Sequence, residues 1–474
     1  MQKIYFYNTA TRKKEEFEPI IEGKVGIYSC GPTVYWDQHI GNMYAYLFAD
    51  VMVRTLRYFG YKVNMVMNLT DVGALTSDAD TGEDKMEKGA KREGISVWEV
   101  AKKYEKQFFE SEELLNINRP DVVCAATAHI KEQIELVQKI EKNGFTYLTS
   151  DGVYFDTSKF ADYAKFANLK LDEIIDTNRD EINREKKNLS DFALWKFSYL
   201  NGRSFDSAQD DVATRRQMEW ESPWGIGFPG WHIECTAMSV KYLGEKFDIH
   251  TGGIDHIPVH HTNEIAQGYG AFGAQTANFW IHNAWVMGKG GTKMSKSLGN
   301  VFTAQELVVM GVDPLSYRYL FLTTHYRKGM EFSLENLKTV NLAYQKLKSL
   351  VSSWEGGGAV NEDYSQIFSD KIADDLAMPE VIALVWKLVK DENVTDIDKK
   401  ATLLDFDKVL GLRLGEKRIE NKIPEEVIAL ANLRLEAKKN KNYAEADGIR
   451  GEIEKKGYTV LDKADGFELR KLTL

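Results

Sequence analysis

Cysteine is scarce in this chain: Cys30, Cys124 and Cys235 are the only three among 474 residues. They are too few and too widely spaced for a disulfide framework, so covalent cross-links are not expected to hold the fold. Long apolar runs are missing too. None approaches the ~20 residues that span a membrane, and the stretch MQKIYFYNTATRKKEEF at the N-terminus lacks the apolar core of a signal peptide. A reducing, cytoplasmic setting without membrane contact is therefore expected, in which free thiols are available as metal ligands. A surplus of positive charge is the third absence. With 61 Lys and Arg against 71 Asp and Glu, the net charge is −10 and the pI is about 5.6, which disfavours indiscriminate binding to nucleic acid. The deficit is uneven. Residues 410–474 carry 14 Lys and Arg against 12 Asp and Glu, so a local RNA-facing patch stays open there. Lys438, Lys439 and Lys441 are its candidates, beside the plainer reading of a solvated helix face.

What the chain does contain begins with Lys293-Met294-Ser295-Lys296-Ser297, two ammonium groups three residues apart in a loop flanked by Gly288, Gly290, Gly291 and Gly299. Such a loop can close over a triphosphate and hold positive charge where negative charge develops. Its counterpart is the segment 32–42, PTVYWDQHIGN. Residues 24–30 (KVGIYSC) have the length and character of a buried strand, 40–59 read as a helix that Gly60 ends, and 61–69 read as the next strand. This is the opening of a nucleotide-binding βαβ unit. His39 and Gly41 fall at its helix N-terminus, where free N–H groups and the helix dipole favour phosphate.

The cysteines suggest a second site. Cys30 ends the first strand, and Cys235 lies in GWHIECTAM (230–238), which opens another helix. Residues 247–255 (FDIHTGGID) read as a strand and a glycine turn, and His260 and Glu264 share one face of the helix that follows. Two thiolates, an imidazole and a carboxylate make an acceptable zinc set. On spacing alone, buried structural thiols and a surface His–Glu contact are the commoner readings of such residues.

The HIGN and KMSKS segments together resemble the HIGH and KMSKS signatures of class I aminoacyl-tRNA synthetases. Asn42 departs from the family's second histidine; it can donate a hydrogen bond but carries no charge. The blocks CGPTVY, GWHIEC, DIHTGG-D and HH-NEIAQ are similar, in order and spacing, to the cysteinyl-tRNA synthetases. That resemblance implies an enzyme that takes L-cysteine, ATP with Mg2+ and tRNA(Cys). It also implies one Zn2+ held by Cys30, Cys235, His260 and Glu264, which binds the substrate thiolate. His261 is a competing ligand that only the family pattern demotes, and Cys124 matches no family ligand. By the same resemblance His39, Asn42, Lys293 and Lys296 are catalytic, and His39, Gly41, Gly252, Gly253 and Lys296 contact ATP. Thr70, Trp231 and Asp255 line the cysteine pocket, with core packing the alternative for Trp231 and a simple turn for Asp255. A monomer is implied as well.

The expected fold is α/β: a Rossmann-like parallel-sheet catalytic domain built from 1–112 and 191–300, with a connective insertion at 113–190. A stem-contact region (301–355) and an α-helical anticodon-binding region (356–474) follow. Helices are expected near 127–143, 313–324, 334–352, 370–390, 396–410, 424–439 and 443–456. Residues 199–217 are longer than the family's usual link and read as a surface insertion, in which Arg215 and Arg216 are RNA candidates beside a solvated loop. The family's usual C-terminal tryptophan is missing, with Phe467 the nearest aromatic. Two rivals share the core motifs: a ligase that joins cysteine to an amino sugar, and a non-catalytic RNA-binding paralogue.

Overall fold

The computed structural model describes residues 2–76, 82–168, 184–198, 216–292, 294, 301–416, 425–440, 442–463 and 466–471. Lys293, Lys296, Lys441, Arg215 and all of 199–215 lie outside the described residues.

The β-branched and aromatic runs form β1 (Lys24–Ser29), β2 (Lys62–Leu69), β3 (Val122–Ala125), β4 (Phe247–Gly253) and β5 (Ala277–Asn283). They make one sheet in the order β3-β2-β1-β4-β5, and every neighbouring pair is parallel. Helices cover such a sheet on both faces, so its strands lose the alternating pattern; β4 is buried from Phe247 through Gly252. The chain reverses its direction of winding between β1 and β4. In an open α/β sheet that reversal splays the crossovers apart and leaves a crevice at the carboxyl ends of the strands.

Four helices frame this crevice: α1 (Ile40–Tyr58), α2 (Lys85–Glu93), α3 (Trp231–Leu243) and α4 (Thr262–Phe272). Most of α1 is buried, so it is apolar on nearly all sides. Its one buried acid, Asp50, pairs with the fully buried Arg318 at 2.6 Å. Arg318 also donates to the carbonyls of Leu115, Asn116 and Leu410. This guanidinium therefore ties α1 to helix Leu315–Leu322 and to the end of helix Asp396–Leu410. With every carbonyl partner in place the buried charge is tolerated.

Three regions differ from the sequence-based expectation. β3 falls inside 113–190 yet pairs with β2, Asn68 opposite Cys124. The inserted segment forms an antiparallel sheet of Thr146–Thr149, Gly152–Phe155, Phe192–Phe197 and Gly227–Pro229, so its strands run past residue 190. The helix expected over 370–390 is two, Glu362–Ala373 and Met378–Lys390. Between them Asp375 and Leu376 take φ of 56° and 55°, and Pro379 sits in the first turn of the second. The buried Asp375 carboxylate holds this reversal by accepting from the Tyr7 N–H (2.9 Å) and the Tyr326 hydroxyl (2.5 Å). Finally, the C-terminal helices Glu425–Lys439 and Tyr443–Lys455 carry an unexpected hairpin, Tyr458–Lys463 with Gly466–Lys471. Val427, Ala431, Ile453 and Val460 form its small core, and Phe467 packs against it.

Candidate functional site

The crevice at β1 and β4 opens into a cavity of about 960 Å³. Cys30, His39, Gly41, Asn42, Trp231, Gly252, Gly253 and Asp255 all line it. Cys235, His260 and Glu264 lie behind this lining, buried at 1%, 2% and 1% exposure.

At one end is the N-terminus of α1. His39 is its N-cap: Nδ1 accepts the Asn42 N–H at 3.2 Å, while the Asn42 carboxamide oxygen accepts the His39 N–H at 3.3 Å. This reciprocal capping box satisfies two helix-end donors. It also makes Nδ1 an acceptor, so the neutral ring carries its proton on Nε2. Asn42 thus supports His39 from within the motif, a role a charge-bearing residue is not needed for. Met294 packs over the same turn, its sulfur 3.4 Å from where a Cβ at Gly41 would stand. Phe302, six residues past Lys296 in the sequence, is anchored here as well, because its carbonyl accepts the Ile40 N–H at 2.8 Å.

At the other end, buried donors crowd together. Potential ligand atoms of Cys30, His260, His261 and Glu264 lie within 4.8 Å of one another. The Cys235 thiol lies beside that of Cys30, close enough for each to perturb the other. α3 brings Cys235 in, the end of β1 brings Cys30, and the turn Ile257–His261 with the first turn of α4 brings the rest. Burial first, then neighbouring histidines, holds His260 and His261 well below the usual imidazole range, so both are neutral. Burial pushes the Cys30 thiol well up. At Cys235 the neighbouring Cys30 thiol pulls downward, but burial and nearby carboxylates leave the thiol raised.

These donors face one another with little to satisfy them. The Glu264 Oε1 atom is buried without a hydrogen bond, although His260 Nε2 stands 3.1 Å away. His261 Nε2 is 3.3 Å from the Cys30 sulfur. An outer ring fixes their orientation. His232 Nδ1 meets His260 Nδ1 at 2.9 Å, His282 Nε2 meets His261 Nδ1 at 2.7 Å, and His250 Nε2 holds Glu264 Oε2 at 2.9 Å. An inner set of soft and borderline donors oriented by outer partners fits a zinc ion. Of the expected ligands, Cys30, His260 and Glu264 come together within 4.8 Å, and the fourth member of that group is His261 rather than Cys235.

Thr70 sits just past β2, buried, donating to Glu234 Oε2 at 3.1 Å and accepting from Asn68 at 3.0 Å. Trp231 stacks on His260, with ring centroids 4.6 Å apart, so it packs and lines the cavity at once. Asp255 is more than half exposed and accepts from the Trp285 indole at 3.3 Å. A Cβ at Gly252 would stand 2.7 Å from the His261 ring and 2.9 Å from the His256 ring; the bare backbone is needed by these rings. Cys124 is buried away from the cavity, bonded to the Met67 carbonyl at 3.4 Å, and burial pushes its thiol up to about 12. It is unreactive there. Arg216, an RNA candidate, instead pairs with the buried Asp84 and lies 3.8 Å from the Phe228 ring.

Several residues carried no signal in the sequence. His232, His250 and His282 orient the cluster but lie on separate elements. Gly31 is required beside Cys30, since a Cβ there would stand 1.7 Å from the Asn68 carbonyl oxygen; its place between a strand and Pro32 was the only hint.

A family model described as the tRNA synthetases class I (C) catalytic domain matches residues 16–342. Over 467 residues the chain is 46% identical to Cysteine--tRNA ligase 1 of Burkholderia lata, covering 98% of this chain and 96% of that protein. It is 42% identical to Cysteine--tRNA ligase of Treponema denticola over 504 residues, covering 99% and 100%. Methionyl-tRNA synthetase of Mycobacterium tuberculosis, solved in complex with methionyl-adenylate, shares the fold: TM-score 0.52 at 16% identity, over 82% of this chain and 90% of that one. Among the described residues no helix is long and apolar enough to cross a membrane.

Proposed function

This chain belongs to the cysteine–tRNA ligase family of class I tRNA synthetases, and we propose that it joins L-cysteine to tRNA(Cys) with ATP and Mg2+, through a cysteinyl-adenylate. The observation that carries this reading is the buried Cys–His–Glu cluster opening onto the same cavity as the N-terminus of α1. One end suits a thiol and the other suits phosphate.

The chemistry has two displacements. The cysteine carboxylate attacks the α-phosphorus of ATP, and pyrophosphate leaves. The terminal ribose hydroxyl of the tRNA then attacks the acyl carbonyl, and AMP leaves. Neither step calls for a covalent enzyme intermediate, so positioning and charge stabilisation are what side chains contribute. His39 donates from Nε2 toward phosphate oxygen, Gly41 leaves the helix N–H groups accessible, and Lys293 and Lys296 balance charge on the pyrophosphate side. Gly252 and Gly253 give the nucleoside close approach to backbone. Trp231 and Thr70 shape the amino-acid pocket, and Asp255 faces the substrate ammonium.

Cys30, Cys235, His260 and Glu264 would hold the zinc ion, with His261 packed against Cys30. When bound, zinc supplies a soft acceptor that favours a thiolate over the hydroxyl of serine. A pocket relying on size alone gains only ~1–3 kcal/mol for so small a difference. The nucleotide-binding core, 1–112 with 191–300, would do this chemistry. The insertion 113–190 would meet the acceptor end, 301–355 the stem and 356–474 the anticodon. The protein would act as a monomer.

Transfer of labelled cysteine to tRNA by the purified protein, beside serine, tests the proposal. Cysteine-only charging is expected. Absence of charging from a folded, zinc-loaded preparation with a competent cognate tRNA would overturn it.

A further inference from the structure

Lys85 belongs to none of the signature segments, yet it is the only lysine or arginine among the described residues lining the cavity. We propose that Lys85 binds the α-carboxylate of the amino-acid substrate. The inference rests on reading the cavity as an amino-acid-activating site, and it names the group that holds the reacting carboxylate.

Placement carries the argument. The Lys85 ammonium lies 5.5 Å from the centroid of the Trp231 ring, and Trp231 stacks on His260 of the buried cluster. Lys85 is therefore one ring away from where the thiol would sit. Cysteine is short: its sulfur and carboxylate are about 4–5 Å apart at most bond geometries, so a carboxylate whose thiol is in the cluster must lie near Trp231. On another side of the same indole stands His256, at 6.4 Å, followed back along the chain by Asp255. Asp255 lines the same cavity as Lys85, so the cavity offers one carboxylate and one ammonium to a zwitterion.

The lysine is also held in place. Its backbone N–H donates to the Ala74 carbonyl at 2.9 Å. Asp84, 5% exposed, caps α2 by accepting from Met86 and Glu87 and is paired with Arg216. Met86 is buried at 1% exposure. The helix start is thereby fixed, while a four-carbon stem lets the ammonium adjust to its partner.

The test is calorimetric titration of the zinc-loaded, full-length protein, without ATP, by L-cysteine and by cysteamine, which lacks the carboxylate. Lys85→Met is expected to weaken L-cysteine by about 10-fold or more, as loss of a charged hydrogen bond does, with cysteamine changed less than about 2-fold. Lys85→Arg, which keeps the charge, should remain within about 3-fold of the parent for L-cysteine. Equal weakening of both ligands by Lys85→Met, or no weakening of either, would overturn the proposal. So would a Lys85→Arg loss as large as that of Lys85→Met. A parent protein that binds both ligands equally overturns the carboxylate contact while leaving the thiol site standing.

Discussion

The two ends of the cavity, for which we propose a thiol at one and phosphate at the other, are built on opposite plans. At the thiol end, Cys30, Cys235, His260, His261 and Glu264 are all buried and six of the chain's nine histidines gather in or around them. At the phosphate end His39 and Gly41 are half-buried and Asn42 is exposed, and the groups on offer are backbone N–H donors and one capped imidazole. A thiol differs from a hydroxyl by one atom, so telling them apart needs donors that are desolvated and locked. Triphosphate carries several charges and can be gripped from a helix end and a loop, without burial.

The contrast predicts separable failures. The largest should come from Cys235→Ser: kcat/KM for cysteine in pyrophosphate exchange falls about 10³-fold and bound zinc is lost, since removing a ligand exceeds the 10–100-fold of outer-shell changes. The KM for ATP should stay within about 2-fold; equal loss for both substrates in a folded protein would collapse the distinction between the ends. His261→Asn, by contrast, should retain zinc, and a zinc-free His261→Asn would make that histidine the ligand. Next, Lys296→Ala should lower the adenylation rate by about 10²-fold and leave cysteine binding untouched; an unchanged rate would remove the loop from the phosphate end. Smaller again is His232→Ala, with zinc affinity reduced about 10–100-fold by metal-buffered titration. The smallest effect belongs to Asn42→Ala, which removes one half of the capping box. About 1 kcal/mol of stability and a few-fold in adenylation rate are expected, read by denaturant unfolding and single-turnover kinetics.

Legibility in the sequence followed the range of the interactions. The strand–helix–strand run of β1, α1 and β2 was readable because its period and its glycine stop are local, and α1 ends one residue earlier than expected. The helix Asp396–Leu410 was readable for the same reason. β3 was missed because four residues, VVCA, mean little until β2 lies beside them. The break at Asp375 was missed because its cause is remote: Tyr7 and Tyr326 hold the carboxylate that stabilises it. Lys85 escaped notice because a lysine opening a polar helix reads as a solvated face until Trp231 is placed under it.

By itself the sequence determined the local pieces: a helix start at His39, two lysines three apart in the segment 293–297, and thiols too sparse for cross-links. Residues 30, 235, 260 and 264, by contrast, come together only because β1 and β4 pair in parallel at the reversal of the sheet. Strand order is a non-local choice, fixed by how the whole core buries its apolar surface. Only the tertiary structure therefore decided which histidines surround the cluster, and that it shares one cavity with α1.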